Sequence, residues 1–460
     1  MYFEYIHSEI IDDRIDAQFF TPEYIKSLKK INQFRIETLG NISRRIFDPP
    51  HTAPEFVDKS DFEMIMIENI TLNGIEGNFR AISETCHKDI FKNSHLEGNE
   101  LLVSRVGNSS GTFASVFPCY KGKNVSGNIS IIKLKDEIID KEYAFAYFNS
   151  NIGQNSIKRN IANTARKFLT ISKIREFQVP IPSPEIQKYI GDKVRKAEEL
   201  REEAKRLKKE AETFLYEMIQ LKPLNDFDKD MFSFVNSNYI DSERLDSEYY
   251  KTKYITLEKL LKSKKVTSFK DIIIESKYGA SVPADYTMVG IPFIRGNNLT
   301  DNEINIDDIV YLNKKLKDEV KDHHVNTGDI LITRSGTVGI SAVVDEKCDG
   351  FSFGSFMIKL RIDMRIWNPY YIAAFLNSFW GKWQIERLQN GAVQQNINLQ
   401  EIGRIIIPII SKENQDKIEE LIKNYINKKR QSKQLIQEAK QDVEDLIEGN
   451  FDMSKVKANS

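Results

Sequence analysis

At 460 residues the chain is too long for one ordinary hydrophobic core, so two or more domains are expected. Its composition, 40% hydrophobic and 29% charged, fits a soluble globular protein. A formal net charge of -1 supplies no global basic field, so any nucleic-acid binding rests on local patches.

Cys86, Cys119 and Cys348 are scattered, with no CxxC or zinc-ligand spacing, which points to a reducing compartment and no structural metal. The opening stretch MYFEYIHSEIIDDRID has no cationic start followed by a long apolar core, so no signal peptide is read there. No apolar run approaches the roughly 18 residues needed to cross a bilayer. A cytoplasmic protein with no membrane partner is the expectation.

Along the chain, short β-rich runs come first: FEMIMIENI, ELLVSRV and NISIIKL, separated by Gly, Asn and Asp. KEYAFAYFNS is expected to be a short helix. After Pro180 the texture changes. From Glu185 to Gln220 there is no proline and one glycine, Gly191, while Ile190, Val194, Ala197, Leu200, Ala204, Leu207, Ala211, Phe214 and Met218 step by three and four. That spacing predicts an amphipathic helix about 50 Å long. The second half repeats this order, with GIPFIRGNNL, DILITRSG and SFMIKLRI as strands and PYYIAAFLNS as a helix. A distal stripe follows (Ile418, Ile422, Tyr425, Leu435, Ile436, Ala439, Val443, Leu446), broken by the polar run NKKRQSKQ. A helix with one narrow apolar seam requires one partner helix, and the other copy is the obvious candidate.

The repetition reaches single residues. Arg14, Asp16, Phe19, Phe20 and Tyr24 fall on Arg244, Asp246, Tyr249, Tyr250 and Tyr254, 230 positions on. Arg105 falls on Arg334, 229 positions on, while YFNSNIGQ falls on FLNSFWGK and ISKIREFQVPIP on LQEIGRIIIPII, both 228 on. Four echoes in order mark a tandem duplication of a unit about 230 residues long, far longer than a solenoid repeat.

Several enzyme chemistries are excluded. The matched loops LLVSRVGNSSG and ILITRSGTVG lack the lysine of the GxxxxGK[ST] phosphate cradle. DPPH (Asp48 to His51) and NPYY (Asn368 to Tyr371) come near the Asp/Asn-Pro-Pro-aromatic motif of amino-methyltransferases. Neither places an aromatic after two prolines to stack on a flipped base. No glycine-rich loop follows a strand to hold S-adenosylmethionine. His323 and His324 are adjacent and point apart on a strand, and the scattered acidic residues fit no nuclease cluster.

A β-rich domain and a long helix, both twice, resemble the specificity subunit of type I restriction–modification enzymes (HsdS). The resemblance covers nearly the whole chain. It lies in RLDSEYY, KYGASVPADY with GIPFIRGNNL, GDILITRSGTVG, and GAVQQNINLQEIGRIIIPI, with weaker versions in the first unit, PIPSPEIQ among them. It implies an α+β fold of two tandem β-rich target recognition domains, residues 1–182 and 223–410. Each is followed by a long α-helix, residues 183–222 and 411–450, and a flexible tail, residues 451–460, closes the chain. The helices are expected to pair as an antiparallel coiled coil with pseudo-two-fold symmetry, matching that of a duplex.

By the same resemblance each domain reads one half of a bipartite, asymmetric double-stranded DNA target. The helices set the spacer, and the chain has no catalytic activity. Two methyltransferase subunits, which modify adenine at N6, and motor-nuclease subunits are the implied partners. No cofactor is expected in this chain; S-adenosylmethionine, ATP and Mg belong to the partners.

Candidate DNA-binding residues follow from side-chain chemistry. Arg forks onto a guanine edge or a phosphate, while Asn and Gln pair with adenine. The arginine loops give Arg105, Asn108, Ser109, Ser110, Arg334, Ser335 and Thr337. The matched segments RRIFDPPHTAPEF and KYGASVPADY give Arg44, Arg45 and His51, and Lys277, Tyr278 and Ser281. IRGNNL gives Arg295, Asn297 and Asn298. Before the last strand, Arg166 and Lys167 fall opposite Gln394 and Gln395, the latter followed by Asn396. Two rivals stay open: the specificity subunit of a methylating defence system without a separate motor-nuclease, and a coiled-coil scaffold that binds protein only.

Overall fold

The computed structural model describes residues 19–161, 168–224, 235–237, 240, 244, 246–389 and 395–458. It comprises two compact units, Met1–Glu202 with Lys429–Ser460, and Glu203–Lys428.

In the first unit the main sheet has four strands, Ser43–Phe47 (β1), Leu101–Ser104 (β2), Phe113–Ser115 (β3) and Ile129–Leu134 (β4), in the antiparallel order β1-β4-β2-β3. β2 and β4 are covered on both faces, so they are buried along nearly their whole length without in–out alternation. Leu101, Val103, Ile132 and Leu134 join a core with the helices Lys141–Asn149 (α1) and Asn151–Ile161 (α2). Leu102, Ile129 and Ile131 face a second cluster with Ile65, Val116 and Tyr120. α1 starts where Asp140 accepts hydrogen bonds from the backbone N–H groups of Glu142 and Tyr143. The long helix Pro184–Ile219 (α3) begins in this unit, and its Gln187 accepts from the backbone N–H of Asp140 at 2.8 Å.

The second unit repeats the plan. Its strands Ile273–Tyr278 (β5), Ile330–Thr333 (β6), Ser341–Val343 (β7) and Met357–Ile362 (β8) take the order β5-β8-β6-β7. Helices Pro369–Asn377 (α4) and Phe379–Leu388 (α5) pack on one face. Even single hydrogen bonds recur. Tyr143 donates to the Pro180 carbonyl at 2.9 Å, and Tyr371 to the Pro408 carbonyl at 2.5 Å. Asn149 holds the backbone of Phe113 through both N–H and C=O, as Asn377 holds that of Ser341. The sequence places the six β-rich runs and the first helix of each pair; it does not anticipate β1, β3, β5, β7, α2 or α5.

α3 and Lys412–Glu448 (α6) each contribute half their length to each unit. In the first unit the two segments run antiparallel: Lys193 pairs with Asp442, and Ser432 donates its hydroxyl to the Ala197 carbonyl at 2.6 Å. Ile190, Val194 and Ala197 share one buried cluster with Ile436, Ala439, Val443 and Ile447. In the second unit Ala204, Ala211, Leu215 and Ile219 share theirs with Ile418, Ile422, Tyr425 and Ile426, and Glu203 meets Lys428 at 3.0 Å.

Three details differ from expectation. Leu215 and Ile219 are buried, whereas Phe214 and Met218 are half-buried, so the α3 seam shifts by one position near its end. α6 runs unbroken through NKKRQSKQ, because Ser432 within that run is buried against α3 and its small side chain fills the seam. The last ten residues hold a short helix, Ser454–Ala458; Val456 joins the first unit's core and the Phe451 ring stands edge-on to Tyr189. Among the described residues no helix is long and apolar enough to cross a membrane.

Candidate nucleic-acid interface

The arginine loops and the segments that follow β1 and β5 meet at one end of each main sheet. β1 and β2 flank the antiparallel β4 and therefore run in the same direction, with Phe47 opposite Ile131 and Ser104 opposite Ile129. Their C-terminal ends lie together, and the chain leaves them through Asp48 and Arg105. In the second unit β5 and β6 flank β8 in the same way and end at Tyr278 and Thr333, followed by Arg334.

Arg105 does not project from its loop, contrary to the outward arginine that its sequence setting suggests. It is 4% exposed. Its Nη1 lies 2.6 Å from the Asp48 carboxylate, its Nε donates to the Leu169 carbonyl at 2.9 Å, and its guanidinium sits 4.7 Å from the centre of the Phe168 ring. Burial pushes its pKa down, and the Asp48 charge opposes that shift. Asp48 also accepts the Ser130 hydroxyl at 2.5 Å, so the aspartate of the DPPH segment serves as a counter-ion. His51 is exposed, with Nε2 3.5 Å from Arg105 Nη1.

Arg334 is half-buried and meets no carboxylate within 4 Å among the described residues. Its guanidinium lies 4.8 Å from the centre of the Tyr278 ring, Nη1 donates to the Ser355 carbonyl at 3.4 Å, and the buried Nε has no hydrogen-bond partner among the described residues. The Tyr278 hydroxyl in turn accepts from the Leu399 backbone N–H at 3.2 Å.

The rest of each arginine loop is organised by glycine. Gly111 and Gly339 have φ of +88° and +92°, and a Cβ on either would lie 2.4 Å from Ile157 Cγ2 or 2.8 Å from Ile385 Cγ2. Glycine therefore seats the loops on α2 and α5, a packing role and no phosphate cradle. Ser109 and Ser110 spend their hydroxyls inside the loop, on Ser104 and on the Arg105 carbonyl. Asn108 and Thr337 are exposed, while Ser335 is half-buried in a backbone bridge to Asn396.

Asn298 is fully buried and closed on its own loop: it accepts from the Arg295 N–H at 2.8 Å and donates to Asp308 and to the Asn305 carbonyl. It is an internal brace, as is Asn69 in the first unit, which bonds Met66, Glu76 and Asn78. Arg295 pairs with Asp308, and Asn297 beside it is exposed. Arg44 pairs with Glu137 at 2.8 Å, whereas Arg45 is exposed and lies over the Phe47 ring at 4.2 Å. Lys277 is half-buried at the end of β5; Ser281 and Gln395 are exposed and Asn396 half-buried. Arg166, Lys167 and Gln394 lie outside the described residues.

The sequence gives no hint of three exposed apolar side chains in the second unit. Phe356 lies beside Arg334, whose N–H donates to its carbonyl. Met288 and Val289 stand 93% and 77% exposed in the turn between the strands Tyr286–Thr287 and Ile291–Ile294. The adjacent histidines part as expected, His323 to the Tyr278 carbonyl and His324 to the Ser352 hydroxyl. Cys119, Glu198 and Glu202 bring ligand-type atoms within 4.8 Å of one another, but Glu198 is already bound to Arg201 and to the Tyr120 hydroxyl.

A family model described as type I restriction modification DNA specificity domain matches residues 29–213 and 228–441. Over 166 residues the chain is 24% identical to the putative type I restriction enzyme MjaX specificity subunit of Methanocaldococcus jannaschii, covering 35% of this chain and 39% of that relative. Over 142 residues it is 24% identical to the type I restriction enzyme EcoBI specificity subunit of Escherichia coli, covering 31% and 30%. The matched stretches thus span less than half the length of either relative. Among solved structures, the type I restriction-modification S subunit from M. genitalium aligns over 91% of this chain and 96% of its own, with 14% identity and a TM-score of 0.45. The HsdS subunit from Thermoanaerobacter tengcongensis aligns over 91% and 97%, with 14% identity and a TM-score of 0.29. With the family model matched twice and over most of its length, the chain belongs to the type I restriction modification DNA specificity domain family.

Proposed function

We propose that this chain is the DNA sequence-specificity subunit of a type I restriction–modification complex. Each recognition domain reads one half of a bipartite, asymmetric target. The α3–α6 pair fixes the distance between the half-sites and docks two methyltransferase subunits for N6-adenine methylation, with motor-nuclease subunits joining for restriction. S-adenosylmethionine, ATP and Mg act on those partners, and this chain supplies recognition without catalysis.

One observation carries the reading: the family model matches twice, over two units that share a sheet topology yet differ in side chains at the matched edge. A shared scaffold with Asp48, Arg105 and Phe168 in one copy, and Tyr278, Arg334 and Asn396 in the other, suits two different half-sites. Among the described candidates, Arg45, His51, Asn108, Ser281, Asn297, Thr337 and Gln395 are exposed and available for base edges or phosphates.

Deleting one heptad from each helix tests the ruler. Seven residues at 1.5 Å each remove about 10 Å, the rise of about three base pairs. The methylated motif should keep both half-sites and lose about three base pairs of spacer. A changed half-site with an unchanged spacer contradicts the proposal.

A further inference from the structure

Two matched arginines in one scaffold should share one role, and the structure shows that their surroundings have been exchanged. The sheet registers make the comparison residue by residue. Ile131 lies opposite Phe47 in the first unit, and Lys359 opposite Lys277 in the second. Asp48 and Tyr278 are the next residues and occupy one place. The backbone bridges Val106 to Phe168 and Ser335 to Asn396 match likewise, so Phe168 and Asn396 occupy another. The main-chain frame is the same: the Arg105 and Arg334 carbonyls accept from Leu169 and Ile397, and their N–H groups donate to Asn128 and Phe356.

Within that frame the first unit surrounds its arginine with a carboxylate, an aromatic face and a carbonyl bond to Nε. The second unit has a tyrosine where the carboxylate stood, an asparagine where the phenylalanine stood, and among the described residues no partner for Nε. A carboxylate at 2.6 Å cancels the guanidinium charge, whereas an aromatic face attracts the cation and leaves the charge in place. Arg105 is thus a closed internal ion pair. Arg334 is a fixed, half-open cation at the matching edge, uncompensated by any carboxylate among the described residues.

We infer that Arg334 contacts the DNA duplex, through a phosphate oxygen or a guanine edge, and that Arg105 is a positioning residue that braces the first unit's edge without touching DNA. The inference rests on the proposed DNA-reading function. It makes the two half-sites unequal in kind: the second is held by an arginine at the end of β6, and the first by its exposed polar side chains and His51.

The test uses the full chain with its methyltransferase subunits and sheared genomic DNA as the probe. Arginines are labelled with phenylglyoxal, with and without DNA, and located by mass spectrometry. Arg334 should react in the free complex and be protected by the duplex, while Arg105 stays unlabelled in both. Arg334→Gln should weaken binding roughly ten- to a hundred-fold. Tyr278→Asp, which restores the first unit's carboxylate, should have a similar effect. A phosphate contact lowers the salt slope of binding by about one and leaves the methylated motif intact; a guanine contact relaxes one base of one half-site. Wild-type affinity, slope and motif in Arg334→Gln, or DNA protection of Arg105, overturns the inference. If the wild-type complex shows no salt-dependent duplex binding, the DNA-reading function itself fails and the inference with it.

Discussion

Ser432 on α6 donates its hydroxyl to the Ala197 carbonyl on α3 at 2.6 Å, inside the helix seam. The contact requires two small side chains at close approach, and it lies in the polar run that interrupts the apolar stripe. Ser432→Leu forces a large side chain into that space and should cost about 1–3 kcal/mol by overpacking. Ser432→Ala keeps the volume, removes one hydrogen bond, and should cost about 1 kcal/mol or less. Denaturant titration of both variants checks the ordering; an equal or reversed cost contradicts the close-contact account.

Asp48 should be a stability residue. Asp48→Asn leaves Arg105 charged and 4% exposed without its counter-ion. Breaking such a buried pair from one side costs about 3–5 kcal/mol. Tyr278→Phe, at the matched place in the second unit, removes only the bond from the Leu399 N–H and should cost about 1 kcal/mol. Unfolding free energies of the two variants, compared with wild type, decide this.

The loop glycines separate into two classes. Alanine at Gly111 or Gly339 combines positive φ with a clash against Ile157 or Ile385 and should lose about 3 kcal/mol or more. Gly107 and Gly336 also have positive φ, +72° and +80°, but nothing lies within 4 Å of a Cβ there. Alanine at these two sites should cost only the backbone strain, about 1 kcal/mol. Thermal or denaturant unfolding of the four variants tests whether the two pairs separate.

Lys440 gives a pH signature. It is buried on α6, and burial lowers its pKa to about 8 from the usual 10.5, against the opposing pull of Glu76 and Glu444. The unfolded chain therefore holds this proton more tightly than the folded one between pH 8 and 10.5. Stability from this group should rise with pH across that window. Lys440→Met should abolish the rise and gain about 2–3 kcal/mol at pH 7. An unchanged pH slope in the variant contradicts the assignment.

How far the sequence carries these conclusions depends on the kind of signal. The strands around Leu101, Ile129, Ile330 and Met357 are legible because each is a short run dominated by Ile, Leu, Val and Met, and α3 because its apolar residues keep a helical period over 36 residues. β1 and β5 are not: SRRIF carries two exposed arginines, and IIESKY puts Glu275 and Lys277 on its half-buried face, so neither shows an apolar face to read. α6 is undervalued because a buried serine carries no hydrophobic signal. At the site, the 229-residue offset between Arg105 and Arg334 is visible, but their opposite fates are not. Those depend on Asp48 and Tyr278, which lie 57 and 56 residues upstream and reach the arginines only through the sheet register. Asn298 is misread for the same reason: an asparagine that braces a loop and one that reads adenine look alike until burial is known.

The most direct test of the central claim is single-molecule sequencing of adenine methylation in genomic DNA. Cells expressing this chain with its methyltransferase are compared with cells lacking only this chain. The account predicts a split, asymmetric motif that is present in the first and absent from the second. An identical set of methylated motifs in both would contradict it.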